Sequence, residues 1–203
     1  MYVFAKIFKV KWFIEIMDYF AIGRLQPAHE EHRELLELVT SLADKAGGKA
    51  YLGLIETKRR DWYNPLSYGE RVEIIDNFDI CGLDIFPIAF DGKNPVAMAG
   101  ALKVVKDKIP NHSVYITADN GYNKILAQLT GYRHESRGRR NISSSDVRRA
   151  FFENGEESDA WKKYVVPESV DTIAKHLKND TIYKILREGE PSGRRRKGSV
   201  KFL

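Results

Sequence analysis

Short apolar runs alternate with longer segments of helical periodicity along this chain, and this alternation limits the folds it can adopt. The predicted strands cover residues 19–23, 50–55, 83–88, 113–118 and 132–136, and predicted helices cover 29–46, 67–78, 95–109 and 121–129. Parallel strands joined through helices need crossover connections, which bury the sheet between helical layers. We therefore predict an α/β domain with a doubly wound parallel sheet of about five strands.

Local signals mark the helix boundaries. Gly47 and Gly48 end the first helical pattern, and Ser67 with Glu70 forms a capping box that opens the second. Only helical patterns occur between residues 145 and 186, where Pro167 is placed to start one helix. The sequence thus predicts a Rossmann-like sheet with a C-terminal helical cap.

The two ends of the chain differ in composition from its body. Residues 1–16 are apolar, but lysines interrupt them at Lys6, Lys9 and Lys11, so we expect neither a signal peptide nor a membrane span. Met17 resembles an alternative start, which gives residues 1–16 the status of an extension and places the domain at residues 17–188. Residues 189–203 form a basic tail that we expect to be disordered.

Charge is concentrated in that tail. The 33 lysines and arginines exceed the 28 acidic residues by five, and the region after Glu190 has five basic residues and no acidic one. The rest of the chain therefore sums to zero, and a folded body without net charge is not a general polyanion binder.

Cys81 is the one cysteine in the sequence. A single thiol excludes an intrachain disulfide and a multi-cysteine zinc site, which favours a cytoplasmic protein without membrane association. We expect Cys81 to be buried, and His112, His134 and His176 to be isolated surface residues.

The junction between the first strand and the first helix has the strongest chemical pattern. Ligands of parallel α/β sheets bind at the carboxyl ends of strands, and Arg24, His29 and His32 occupy this junction. Imidazoles and a guanidinium beside a helix N-terminus suit phosphate oxygens. The alternatives are two exposed surface histidines and, with a weaker signal, a metal site.

Three segments, in order, resemble motifs of the nucleotidylyltransferase superfamily. Residues 23–32 (G-R-L-Q-P-A-H-E-E-H) resemble its G-R-F-Q-P-x-H-x-x-H signature, and residues 64–71 (N-P-L-S-Y-G-E-R) are similar to its N-P-F-S/T-x-x-E-R segment. Residues 142–148 (I-S-S-S-D-V-R) resemble its I-S-G/A-T-x-I-R phosphate motif. The combination is most similar to nicotinamide mononucleotide adenylyltransferases of archaeal and bacteriophage type.

The resemblance implies transfer of the adenylyl group of ATP to nicotinamide mononucleotide, giving NAD and pyrophosphate, with Mg²⁺ bridging phosphate oxygens. It implies that His32 stabilises the α-phosphate in the transition state, that His29 orients the phosphates, and that Arg148 belongs to the catalytic set. The implied ATP-binding residues are Gly23, Arg24, Gln26, His29, His32, Ser143, Ser145 and Arg148. Six arginines within residues 131–149 are consistent with a triphosphate site.

Further residues are candidates for the acceptor side. The second motif contributes Asn64 and Arg71, and Asp119 with Asn120 follows the fourth predicted strand. Contact with ribose or base and helix capping are both open roles for that pair. Trp62 could stack on a base or pyridine ring, or it could anchor its own loop.

The sequence departs from the family pattern beside the proposed triphosphate, in the loop residues Leu25 and Ala28, and on the acceptor side, where the departure leaves the acceptor open. Glu31 stands where many relatives have glycine, and its carboxylate suits the helix dipole but repels phosphate. Residues 83–98 contain no tryptophan, although archaeal relatives stack the nicotinamide ring there. Pantetheine phosphate, flavin mononucleotide, or glycerol phosphate with CTP are alternative substrates.

A second class of function is a nucleic-acid-binding or regulatory module, suggested by Arg194–Lys197 and the arginine-rich loop. Charge runs of this kind are nonspecific, so we do not expect nucleic acid as a partner. Relatives often form homo-oligomers, and an oligomer is possible here, but no feature of the sequence fixes a number of subunits.

Overall fold

A five-stranded parallel sheet forms the centre of the molecule. The computed structural model describes residues 16–58, 60–90, 95–117, 127–138 and 142–187. The strands are β1 (Met17–Gly23), β2 (Gly47–Glu56), β3 (Leu83–Ala89), β4 (Val114–Thr117) and β5 (Arg133–Ser136), in the order β3-β2-β1-β4-β5. All four neighbouring pairs are parallel. The predicted Rossmann-like α/β fold is confirmed, and strand order reverses between β1 and β4.

Seven helices whose bounds lie within the described residues connect and cover the strands. They are α1 (Glu30–Lys45), α2 (Tyr68–Asp76), α3 (Pro95–Lys108), α4 (Ser144–Asn154), α5 (Asp159–Lys162), α6 (Val170–Leu177) and α7 (Asp180–Arg187). A 3₁₀ turn at Pro167–Ser169 leads into α6, as the proline signal predicts. Residues 127–130 are also helical, whereas the start of the helix predicted over 121–129 lies outside the described ranges. Within those ranges, none of the helices has the length and apolarity that crossing a bilayer requires.

The two faces of the sheet have separate cores, because successive side chains of a strand point to opposite faces. Ala21 and Leu52 face Val39 of α1 in a cluster that also includes the C-terminal helices. Phe20 faces the other way, toward Val105 of α3. Helices therefore cover both faces, so the sheet is doubly wound. The loops that follow the strands lie together at its carboxyl edge.

The start of β2 differs from the prediction. Its first residue is Gly47, which pairs with Met17 and follows the end of α1 almost directly. A Cβ on Gly48 would collide with the carbonyl of Met17. The two glycines therefore end the helix, as predicted, and also begin the next strand.

The predicted capping box of α2 is present. The amide of Glu70 donates to Ser67 Oγ at 3.3 Å, and the Ser67 amide donates to Glu70 Oε2 at 2.6 Å. This box fixes the first turn of the helix whose buried face includes Arg71.

Two expectations about isolated residues are wrong. Cys81 is exposed because it lies in the turn between α2 and β3. His176 is 8% exposed and lies 2.9 Å from Glu73 of α2, since α6 packs against that helix. His112 and His134 are exposed, as predicted. The predicted tail, 189–203, and residues 1–15 of the predicted extension lie outside the described residues.

Candidate functional site

The loop between β1 and α1 lies at the carboxyl edge of the sheet and is held to the segment before α2. Gln26 is 3% exposed, and its side-chain amide donates to the Leu66 carbonyl at 2.9 Å. The Leu66 amide donates back to Gln26 Oε1, also at 2.9 Å. The side chain predicted to bind nucleotide thus joins the first and second motifs.

The two histidines of the first motif pack on one another at the start of α1. His29 is the N-cap, one residue before the helix, and its ring centroid lies 3.8 Å from that of His32. The backbone N–H of His29 donates to Nδ1 of His32 at 3.2 Å. The neutral His32 ring therefore has its proton on Nε2, the tautomer that can donate a hydrogen bond to an anion through that atom.

The first turn of α4 meets the loop before α1. Ser144 Oγ donates to the carbonyl of Pro27 at 2.9 Å, across 117 positions of sequence. Ser143 is the N-cap of α4, and its hydroxyl oxygen accepts from the Asp146 amide at 3.2 Å. Two helix N-termini, each with partial positive charge, therefore lie side by side next to the point where strand order reverses.

Arg148 joins α4 to the loop between β1 and α1. It is 2% exposed and donates from Nη1 to the Gln26 carbonyl and from Nη2 to Ser145 Oγ at 3.1 Å. Its guanidinium carbon lies 5.4 Å from the ring centroid of Trp62. The predicted ATP-binding arginine is thus buried among protein groups and orders both the loop and a serine of the third motif.

Arg71 is fully buried and joins three segments. Nη1 donates to the carbonyls of Arg24 at 2.7 Å and Ile55 at 2.9 Å, and Nε donates to the Ser67 carbonyl at 3.1 Å. Burial lowers the pKa of the guanidinium, an effect that the carboxylate of Glu56 opposes. These contacts place Arg71 under the site as a support for its loops.

The remaining candidates of the second motif are also enclosed. Trp62 and Asn64 are each 6% exposed, and the side-chain amide of Asn64 donates to Asp61 Oδ1 at 3.0 Å. The burial of Trp62 favours the anchoring role over ring stacking. The side chain of Arg24 is exposed near the end of β1. Asp119 and Asn120 lie outside the described residues.

The sequence patterns miss two contacts of the site. The Glu30 amide at the first turn of α1 donates to the carbonyl of Tyr164 at 3.2 Å, and Glu34 pairs with Arg137 at 3.0 Å. A contact through a backbone carbonyl leaves no residue pattern, and 103 positions separate the charged pair. No pattern of neighbouring residues in the sequence could have predicted either contact.

The described residues include no cluster of side chains that could bind a metal ion. No group of three or more histidine, cysteine, aspartate or glutamate side chains is placed there to hold an ion.

Comparisons with known proteins identify a structural likeness. No family model matches this chain, and no curated protein matches it. Among solved structures, it is similar to Plasmodium falciparum nicotinic acid mononucleotide adenylyltransferase complexed with APC, with 15% sequence identity and a TM-score of 0.49. The match covers 79% of this chain and 95% of that chain.

Proposed function

We propose that this chain is an adenylyltransferase that transfers the adenylyl group of Mg²⁺-bound ATP to nicotinamide mononucleotide, releasing pyrophosphate and forming NAD. The observation that supports it best is the junction of two motif-bearing helix N-termini, joined by the hydrogen bond from Ser144 to Pro27 at 2.9 Å. The rings of His29 and His32, which are in contact and tilted relative to one another, lie at the same junction. Such an arrangement offers amides, hydroxyls and imidazoles to one polyphosphate.

The reaction needs positioning and charge stabilisation. An oxygen of the acceptor phosphate attacks the α-phosphorus, and the bond from that phosphorus to the oxygen bridging the α- and β-phosphates breaks. The leaving pyrophosphate takes the electron pair, so no covalent enzyme intermediate forms. Donors aimed at the phosphoryl oxygens stabilise the charge that develops in the transition state.

In this proposal His32 is the donor to the α-phosphate. The His29 backbone N–H binds Nδ1 of His32 and leaves the proton of the neutral ring on Nε2. His29 therefore acts on the reaction partly through the orientation of its neighbour. This division of roles agrees with the resemblance of residues 23–32 to the superfamily signature.

Arg148 acts in the proposal as a positioning residue, with a direct phosphate contact as a further prediction. Its two described hydrogen bonds hold the Gln26 carbonyl and the Ser145 hydroxyl. The first fixes the loop before the histidines, and the second fixes a serine of the phosphate motif. Mg²⁺ enters as part of the nucleotide substrate, since it binds phosphate oxygens and keeps several waters.

A pyrophosphate assay tests the reaction and the acceptor together. The protein is incubated with Mg²⁺, with ATP or CTP, and with each acceptor in turn: nicotinamide mononucleotide, pantetheine phosphate, flavin mononucleotide or glycerol phosphate. We expect pyrophosphate with ATP and nicotinamide mononucleotide. Release with another pair would reassign the substrates, and no release with any pair would reject nucleotidyl transfer.

The His32→Ala variant tests the catalytic assignment. We expect kcat to fall by about 10²-fold or more with a modest change in KM, as for a donor that acts mainly in the transition state. His112→Ala is the matched control because His112 is exposed and lies near Asp18 at the opposite edge of the sheet. A folded His32→Ala protein with near-normal kcat would reject this role.

A further inference from the structure

Two carboxylates on α1 contact the chain that connects β5 to α4. Glu34 Oε2 lies 3.0 Å from Arg137 Nη2, and the two side chains are 27% and 16% exposed. One turn earlier on the helix, Glu31 Oε1 accepts a hydrogen bond from the Ile142 amide at 3.4 Å. Both contacts lie on the helix that begins with the histidine pair.

Arg137 is held from two sides. Its backbone amide donates to the carbonyl of Thr117 at 3.0 Å, which continues the pairing of β5 with β4 by one residue. Its side chain reaches Glu34 on α1. One residue therefore ties the end of the sheet at β4 to the helix that starts at the switch point.

The pair of Glu34 and Arg137 lies close in sequence to the start of α4, which is part of the candidate site. Ile142 directly precedes Ser143, so its hydrogen bond to Glu31 links α1 to the residue before the N-cap of α4, while Glu34 holds the same stretch of chain at Arg137. The histidines at the start of α1 and the serines at the start of α4 must be a fixed distance apart to contact one triphosphate. The Glu34 carboxylate offsets the positive charge of Arg137. We therefore expect Arg137 to affect the site by where it holds the chain and not by its charge.

We propose that Glu34 and Arg137 form a positioning pair that sets the spacing between the N-termini of α1 and α4 and thereby the affinity for the nucleoside triphosphate. The triphosphate part rests on the function proposed above. Glu31 supports the same link through Ile142. This contact gives a structural role to the carboxylate that stands in the first turn of α1.

Charge reversal separates a positioning role from a simple effect of charge. Glu34→Arg adds positive charge and Arg137→Glu adds negative charge, so a field effect alone would strengthen ATP binding in the first variant and weaken it in the second. A positioning pair predicts that both variants weaken binding, by about tenfold each, and that the double variant recovers to within about threefold of the original.

The binding arm uses the full chain with Mg²⁺ and ATP in the absence of an acceptor, measured by isothermal titration calorimetry. Glu37→Arg is the matched control because Glu37 lies on the same helix, pairs with Arg33 at 2.9 Å and is 50% exposed. We expect its ATP affinity to stay within about threefold of the original, because a screened surface pair contributes little. Tighter binding by Glu34→Arg, or a double variant that recovers nothing, would overturn the positioning role.

Hydrogen–deuterium exchange over residues 142–147 tests the spacing without ATP. We expect faster exchange in both single variants and recovery in the double variant, because the start of α4 loses and regains its link to α1. Unchanged exchange in the single variants would overturn the pair. If exchange follows the cycle but the original protein does not bind ATP, the proposed function fails and the link between the helices stands.

Discussion

Arg71 and Arg148 are both buried charges, yet they support the molecule in different ways. Arg71 is 0% exposed and Arg148 is 2% exposed, and each donates to a carbonyl of the loop between β1 and α1. Arg71 holds the carbonyl of Arg24, and Arg148 holds that of Gln26. Two arginines from two distant motifs thus fix one short loop from two directions.

The partners beyond that loop distinguish them. Arg71 also donates to the carbonyls of Ile55 and Ser67, so its described acceptors are all backbone atoms. Arg148 also donates to the hydroxyl of Ser145 in the third motif and lies against Trp62. The two arginines are similarly buried but have different roles. Arg71 joins backbone segments, whereas Arg148 connects the loop to a side chain of the candidate site.

Arg71→Met should reduce folding stability more than any of the other substitutions. Removing the guanidinium leaves the carbonyls of Arg24 and Ile55 without this donor, whereas the Ser67 carbonyl keeps its bond from the Arg71 backbone amide. We expect the change to lower the free energy of unfolding by about 3–5 kcal/mol. Urea unfolding followed by circular dichroism measures it. Arg133→Met is the control, since the Arg133 side chain is 68% exposed. A loss at Arg71 no larger than the control would remove the distinction between supporting and surface arginines.

Arg148→Lys has the next largest effect and tests the difference between the two arginines. Lysine keeps the charge but lacks the planar fork that reaches both Gln26 and Ser145, so we expect a loss of about 2 kcal/mol in unfolding free energy. We also expect KM for ATP to rise while the protein is still fully folded. The matched variant Arg71→Lys should change KM less at the same folded fraction, and the opposite ranking would show that the comparison is wrong.

Ser144→Ala removes a smaller link between the same two segments. The lost hydrogen bond to Pro27 is expected to lower the unfolding free energy by about 1 kcal/mol. Ser41→Ala on α1 is a control for a serine outside the junction. Urea midpoints at equal slope compare them, and a Ser144→Ala midpoint equal to that of Ser41→Ala would mean that the hydroxyl does not hold α4 to the loop.

The smallest effect concerns the exposed side of α2. A hydrogen bond from Lys175 lowers the pKa of the Glu73 carboxyl below its ordinary value of 4.5, although burial opposes the shift. A lowered pKa in the folded state means that the stabilisation is present above pH 4.5 and is lost as pH falls through the folded value. Thermal melts should therefore separate the original protein from Glu73→Gln near pH 6 and converge in stronger acid. A constant difference over this range would contradict the ion pair.

Much of this fold could be predicted because its signals are local. The capping box at Ser67 and Glu70, the glycines after α1 and the alternation of strands with helices depend on residues close in sequence. The pairing of His29 with His32 is also local, since a spacing of three residues brings two side chains together at the start of a helix. The start of β2 could not be predicted in this way, because Gly47 pairs with Met17, 30 residues earlier in the chain.

The surroundings of each candidate residue could not be predicted in the same way. Exposure of Cys81 and burial of His176 depend on which surfaces pack together, and their side-chain types do not determine that. Trp62 is similar: the sequence permits stacking on a ligand or anchoring of its loop, and its contact with Arg148 comes from a segment 86 positions away.

The parallel α/β architecture and the three segments that bear the candidate chemistry follow from the amino-acid sequence, because periodicity, capping and short motifs are encoded within a few turns of chain. The burial of Arg71 and Arg148 and the contact between Glu34 and Arg137 follow from the packing of distant segments. The physical reason is that desolvation and ion pairing depend on neighbours brought together by the fold, over separations that no local pattern encodes.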